Sequence, residues 1–172
     1  MFLKGFRDKS NQKFIKKLLN NKPPTVVANE LQTIGVLLNF NEFNDFELFR
    51  KLFKELELTS PKCRVAAFID DEKQITSTWN TYFIPKNIGW NGKIESVDLE
   101  TFINADFDVL ISYYNQSKVE LNLITALSKA KFKIGLTNVD DRYYDLIINI
   151  KTDQFNIFKT ELKKYLKILK LI

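Results

Sequence analysis

The 172-residue chain contains no histidine and a single cysteine, Cys63. That removes histidine general acid–base catalysis and every nucleophile activated by an imidazole. It also removes the usual tetrahedral zinc sites, which draw on several Cys and His ligands. Carboxylates remain. Asp70-Asp71 is a pair of hard oxygen donors of the kind Mg²⁺ takes, and more simply a loop or helix-cap pair. Asp140-Asp141-Arg142 reads as a turn with its own ion pair. Lys62 and Arg64 flank Cys63 and would favour its thiolate, whereas a small residue in a strand reads first as packing. The inventory yields no catalytic set, and neither metal nor cofactor is expected.

The stretch "DVLISYYNQSKVELNLITALSKAKFKIGL" (Asp108–Leu136) has the strand–helix–strand form of nucleotide-binding folds. Its first joint, Tyr-Tyr-Asn-Gln-Ser, holds no glycine. Ligands of open α/β sheets sit beyond the carboxyl ends of the strands. There, Tyr113, Asn115, Gln116 and Asn138 would form the floor of a small-ligand crevice, with one of Tyr113 and Tyr114 turned into the core instead. Ser117 and Glu120 have capping-box spacing and would occupy the amides that a phosphate uses. The earlier loop "NFNEFND" also lacks glycine. With the next helix it brings Glu42, Asp45 and Glu47, which would repel a pyrophosphate.

Cations concentrate at the ends. Residues 1–24 hold Lys4, Arg7, Lys9, Lys13, Lys16, Lys17 and Lys22 against Asp8 alone, a net +6. Residues 151–172 carry +4, so the body between them is −5 in a chain of net +5. Such asymmetry speaks of partners more than of fold. Lys4, Arg7, Lys9, Lys13, Lys16 and Lys17 are candidate phosphate contacts, and Phe2, Phe6 and Phe14 candidate stacking or anchoring rings. The partner expected is RNA or a ribonucleoprotein surface such as the ribosome, met through both basic ends. An anionic membrane surface is an alternative, as is a protein partner for the N-terminal segment. A third outcome is that Phe14, Ile15, Leu18 and Leu19, on one helical arc, dock onto the chain's own domain.

The elements that must position these residues alternate. Residues 1–24 read as a basic amphipathic arm closed by Pro23-Pro24, and 25–172 as one α/β domain. "TIGVLLN", "CRVAAFI", "VLISY", "FKIGL" and "DLIINI" are strands, and a short one is expected near Lys93–Ser96. Asn44 with Glu47 would cap the second helix, Ser117 with Glu120 the fourth, and Asp153 the last. The class expected is a single Rossmann-like α/β domain with a mostly parallel sheet between helices. No apolar run reaches the roughly 18 residues of a membrane span. The lone cysteine and the lysine-interrupted start suit a cytoplasmic protein.

"FKIGLTN" and the closing "DLIINIKTDQFNIFKTELKKYLKIL" resemble a short uncharacterised bacterial family over nearly the whole chain. "FDVLISYYNQSKVELNLITALSKAKFKIGLTN" is similar to the N-terminal domain of heptosyltransferase-like (GT-B) glycosyltransferases, over about a fifth of the length. That likeness implies a degenerate half of such an enzyme, retaining a small ligand at the strand ends. The Gly-Asp pair and Thr/Ser-Pro step that those enzymes carry after the first strand are missing here, as is their second domain. Turnover is therefore not expected.

Overall fold

The structure, a computed structural model, describes residues 2–75, 81–137 and 140–172. The continuous apolar runs become the strands β1 (Ile34–Asn39) and β4 (Val109–Tyr113), both buried along their whole length. Around them lie β2 (Cys63–Phe68), β3 (Thr81–Phe83), β5 (Phe132–Gly135) and β6 (Leu146–Ile147). Every pairing is parallel, in the order β3-β2-β1-β4-β5-β6. This is a Rossmann-like sheet, whose strand order reverses between β1 and β4.

Among the described residues five α-helices cover it: α1 (Phe2–Asn20), α2 (Phe46–Glu55), α3 (Val97–Asn104), α4 (Val119–Leu127) and α5 (Phe155–Ile168). Alternation along the strands sorts two cores. Val36, Leu38, Ile111 and Tyr113 pack with α2 and α5. Leu37, Leu110 and Tyr114 pack with α1, α3 and α4. The two basic helices, α1 and α5, therefore lie on opposite faces of the sheet.

Several local expectations are corrected. The short strand is at Thr81–Phe83, while Ile94 makes only a single antiparallel bridge to Ile88. None of the three expected side-chain caps forms. α2 follows Asp45 with no side-chain cap, and Glu47 pairs with Arg50. Ser117 Oγ accepts from Asn122 Nδ2, and Glu120 is buried in α4. α5 starts after Gln154, whose side chain accepts from the Lys151 amide instead.

Ser10-Asn11 ties α1 down. Asn11, 1 % exposed, donates to Gly89 O (3.0 Å) and accepts from the Gly92 amide (2.9 Å). Ser10 meets Asn91 through two further bonds. Gly92 sits at φ +74°, and a Cβ there would lie 2.3 Å from the Phe14 ring. The turn thus needs glycine for its backbone and for the ring that packs on it. Ile15 and Leu19 continue the contact into the core shared with α3 and α4.

Candidate functional site

At the sheet's topological switch point the amides that would receive a phosphate are occupied by the protein itself. Asn39, fully buried at the end of β1, turns the chain back, and its side-chain amide donates to Glu42 Oε1 (2.9 Å). Glu42 then reaches across to the β4–α4 loop. Its carboxylate accepts from the Asn115 amide (2.7 Å) and the Gln116 amide (2.9 Å). A residue read from sequence as repelling an anion thus takes the anion's place.

Side chains lace the rest of the rim. Asp70, at the end of β2, accepts from Asn41 Nδ2 and from Lys118 Nζ (3.0 Å). The Lys118 ammonium also lies over the Phe68 ring, 5.1 Å from its centroid. Asn115 Nδ2 donates to Ile150 O, and its Oδ1 accepts from the Thr152 amide. Tyr113 is fully buried and donates to Thr152 O (2.8 Å).

Of the expected crevice residues, Asn115 and Gln116 do border an open depression of about 750 Å³, together with Glu42 and Thr137. Tyr113 does not. It and Tyr114 are both buried, because helices cover both faces and alternation sends each ring into a core. Asn138 lies outside the described residues. Among the described residues no three acidic or cysteine side chains gather as a metal cluster. Asp71 accepts from the Lys73 amide as a cap, and Asp140 holds Arg142 through both carboxylate oxygens. Burial pushes the Cys63 thiol up to about 11, so its basic neighbours do not activate it.

The second locus is the outward side of α1. At 100° per residue, Phe2, Phe6, Lys9, Lys13 and Lys16 follow one stripe, opposite Asn11, Ile15 and Leu19. Phe2 is 88 % exposed, Leu3 74 % and Phe6 58 %. Lys4, Lys9, Lys13, Lys16 and Lys17 are exposed and Arg7 half-buried. Among the described residues none of these six cations is in an ion pair. Phe14 is different. Its ring is half-buried against Gly92 and anchors α1 to its own domain.

Three of the six C-terminal cations are held in ion pairs within the fold. Glu55 pairs with both Lys159 and Lys163, and Glu161 with Lys164. No helix among the described residues is long and apolar enough to cross a membrane. Nothing in the sequence spacing could show that Glu42 and Gln116 meet, since they lie 74 positions apart.

A search of curated proteins finds no match to the chain. Residues 7–169, from the second turn of α1 to the end of α5, match a family of unknown function (DUF6913), and the chain belongs to that family.

Proposed function

We propose that the protein is a non-catalytic binding protein that engages RNA, free or on a ribonucleoprotein surface, through the outward face of α1. The observation that carries this reading is the stripe of Lys9, Lys13 and Lys16. It is exposed, without carboxylate partners among the described residues, and continued by two solvent-facing phenylalanines. Successive turns set these lysines roughly 5.4 Å apart along the axis, suited to a row of phosphates. Phe2 and Phe6 offer rings on which bases stack. α5 is left out, because its lysines are largely paired and it faces the other way.

The strand-end crevice supports a glycosyltransferase-like reading less well, since Glu42 fills the amide pair and presents negative charge to a nucleotide-sugar. One observation favours a membrane instead, the exposed cluster of Phe2, Leu3 and Phe6. It covers two turns only, and lysines continue the stripe where an inserting helix would be apolar.

The test is binding to single-stranded RNA across a salt series. Changing Lys9, Lys13 and Lys16 to alanine together should weaken binding and flatten the log–log salt slope by about 0.7 for each phosphate no longer neutralised. An unchanged slope sinks the proposal. Flotation with anionic vesicles that depends on Phe2 and Phe6, with no RNA affinity, would replace it with the membrane reading.

A further inference from the structure

A cavity of about 500 Å³ opens between the C-terminal half of α1, the Pro23-Pro24 connection, the end of α4 and the start of β5. Its walls are of two kinds. Phe14, Leu18, Val26 and Leu127 give it an apolar side. Six cations, Lys17, Lys22, Lys129, Lys131, Lys133 and Arg142, line much of the remainder, with Asp145 the one carboxylate in the lining among the described residues. Three of them have carboxylate partners, with Lys22 on Asp145, Lys131 on Asp108 and Arg142 on Asp140. Lys17, Lys129 and Lys133 have none among the described residues.

Lys133 is the informative one. It is only 8 % exposed, and among the described residues its ammonium makes one hydrogen bond, to Thr125 O at 2.7 Å. An ammonium has three protons to donate. Asp145 accepts from the Lys133 backbone amide, not from its ammonium. Burial pushes this lysine down to about 8, and the neighbouring Lys22 charge adds to the effect while Asp145 opposes it. Capping the last carbonyls of α4 explains one of the three donors. It does not explain why Lys17 and Lys129, without carboxylate partners among the described residues, line the same cavity as this buried charge, which costs stability unless an anion offsets it.

We propose that this cavity binds a phosphate monoester, with the organic body against Phe14, Leu18 and Val26 and the phosphate received by Lys133, Lys22 and Lys17. Lys17, Lys129 and Lys133 have no carboxylate partner among the described residues, and Lys22 would share its charge between the phosphate and Asp145, a balance that suits a dianion better than a single carboxylate. The volume lies within the range of small-molecule sites, as does the pairing of an apolar wall with a few convergent charges. The ester comes either from a free metabolite-sized phosphate or from the phosphorylated end of an RNA. The site stands apart from the stripe of Lys9, Lys13 and Lys16.

The experiment follows the Lys133 side-chain resonances by NMR, and thermal unfolding, on the full chain. Adenosine monophosphate is the probe for a free ester. A 5′-phosphorylated oligoribonucleotide and its 5′-hydroxyl twin are compared in a Lys9/Lys13/Lys16→Ala background. A bound dianion should raise the melting temperature and move Lys133 back up towards the ordinary lysine range. Lys133→Met should weaken the monophosphate about tenfold or more, and exposed Lys17→Met, which leaves the core untouched, by several-fold. A response to adenosine monophosphate identifies a free ester, and a Lys133-dependent preference for the phosphorylated oligonucleotide identifies an RNA end. No Lys133 shift and no thermal gain with any of these probes at millimolar concentration overturns the proposal, whatever the α1 lysines do.

Discussion

Replacing Glu42 tests whether the sealed switch point stabilises the fold. Its carboxylate accepts hydrogen bonds from the Asn115 and Gln116 amides and from Asn39 Nδ2. A hydrogen bond to a charged group contributes about 1.5–3 kcal/mol. The Gln116 end of the rim is open to solvent, so part of that loss returns as hydration once the carboxylate is gone. Glu42→Ala should therefore cost about 3 kcal/mol. Glu42→Gln keeps one acceptor oxygen and should cost about half, near 1.5 kcal/mol. For a chain of this size each kcal/mol moves the melting temperature by about 2–4 °C. Calorimetry should then rank wild type above Gln above Ala, with Ala lower by about 6–12 °C. Hydrogen exchange supplies the local readout, since the Asn115 and Gln116 amides should lose protection in the alanine variant. An alanine variant within about 0.5 kcal/mol of wild type, with both amides as protected as before, would refute the reasoning.

Asn11→Ala removes the side chain that holds the Gly89–Gly92 turn and should cost about 1–3 kcal/mol, with faster proteolysis at Arg7 and Lys9 as α1 loosens. Gly135→Ala would place a methyl 2.5 Å from the Tyr144 ring and should destabilise by about 1–3 kcal/mol, with partial recovery in combination with Tyr144→Leu. Asp108 accepts from the Gln32 and Thr33 amides, the Thr33 hydroxyl and Lys131; burial works against its charge, but these partners outweigh it and hold the carboxyl below its ordinary value. Its stabilisation is present above the unfolded carboxylate range and disappears as pH falls through the lowered value, so the gap between wild type and Asp108→Asn should close on acidification in pH-dependent denaturation. Lys133 runs in the opposite sense. With its folded value near 8 the unfolded chain binds more protons from there up to the ordinary lysine range, so stability should rise with pH in that window, a rise that Lys133→Met abolishes.

The central strands were legible because burial on both faces writes an unbroken apolar run, as in "GVLLN" and "VLISY". β3 was not, because only Thr81–Phe83 is needed at an edge and three residues carry no period. The expected caps failed through competition, since Ser117 found Asn122 and Gln154 displaced Asp153. The arc of Phe14, Ile15, Leu18 and Leu19 did announce a helix able to dock on its own domain. What holds it, the amide of Asn11 on a turn near residue 90, depends on a contact about 80 positions away that no local pattern announces. The acidic character of "NFNEFND" was visible, but its role as an internal ligand depends on a contact that only the folded sheet creates.

The docking of α1 also bears on the order of events while the chain is being made. Its seat is built from residues far downstream: the Gly89–Gly92 turn, then α4, then Asp145 and Arg142, which bind Lys22 and Asn20. Most of a helix's stability in a protein comes from packing its apolar face, not from its own propensity. Until synthesis has passed Gly92, Ile15 and Leu19 have nothing to cover them and the lysines nothing to orient them. α1 is thus among the last elements that can settle, and while the residues after it are being made it is a sticky, positively charged tether.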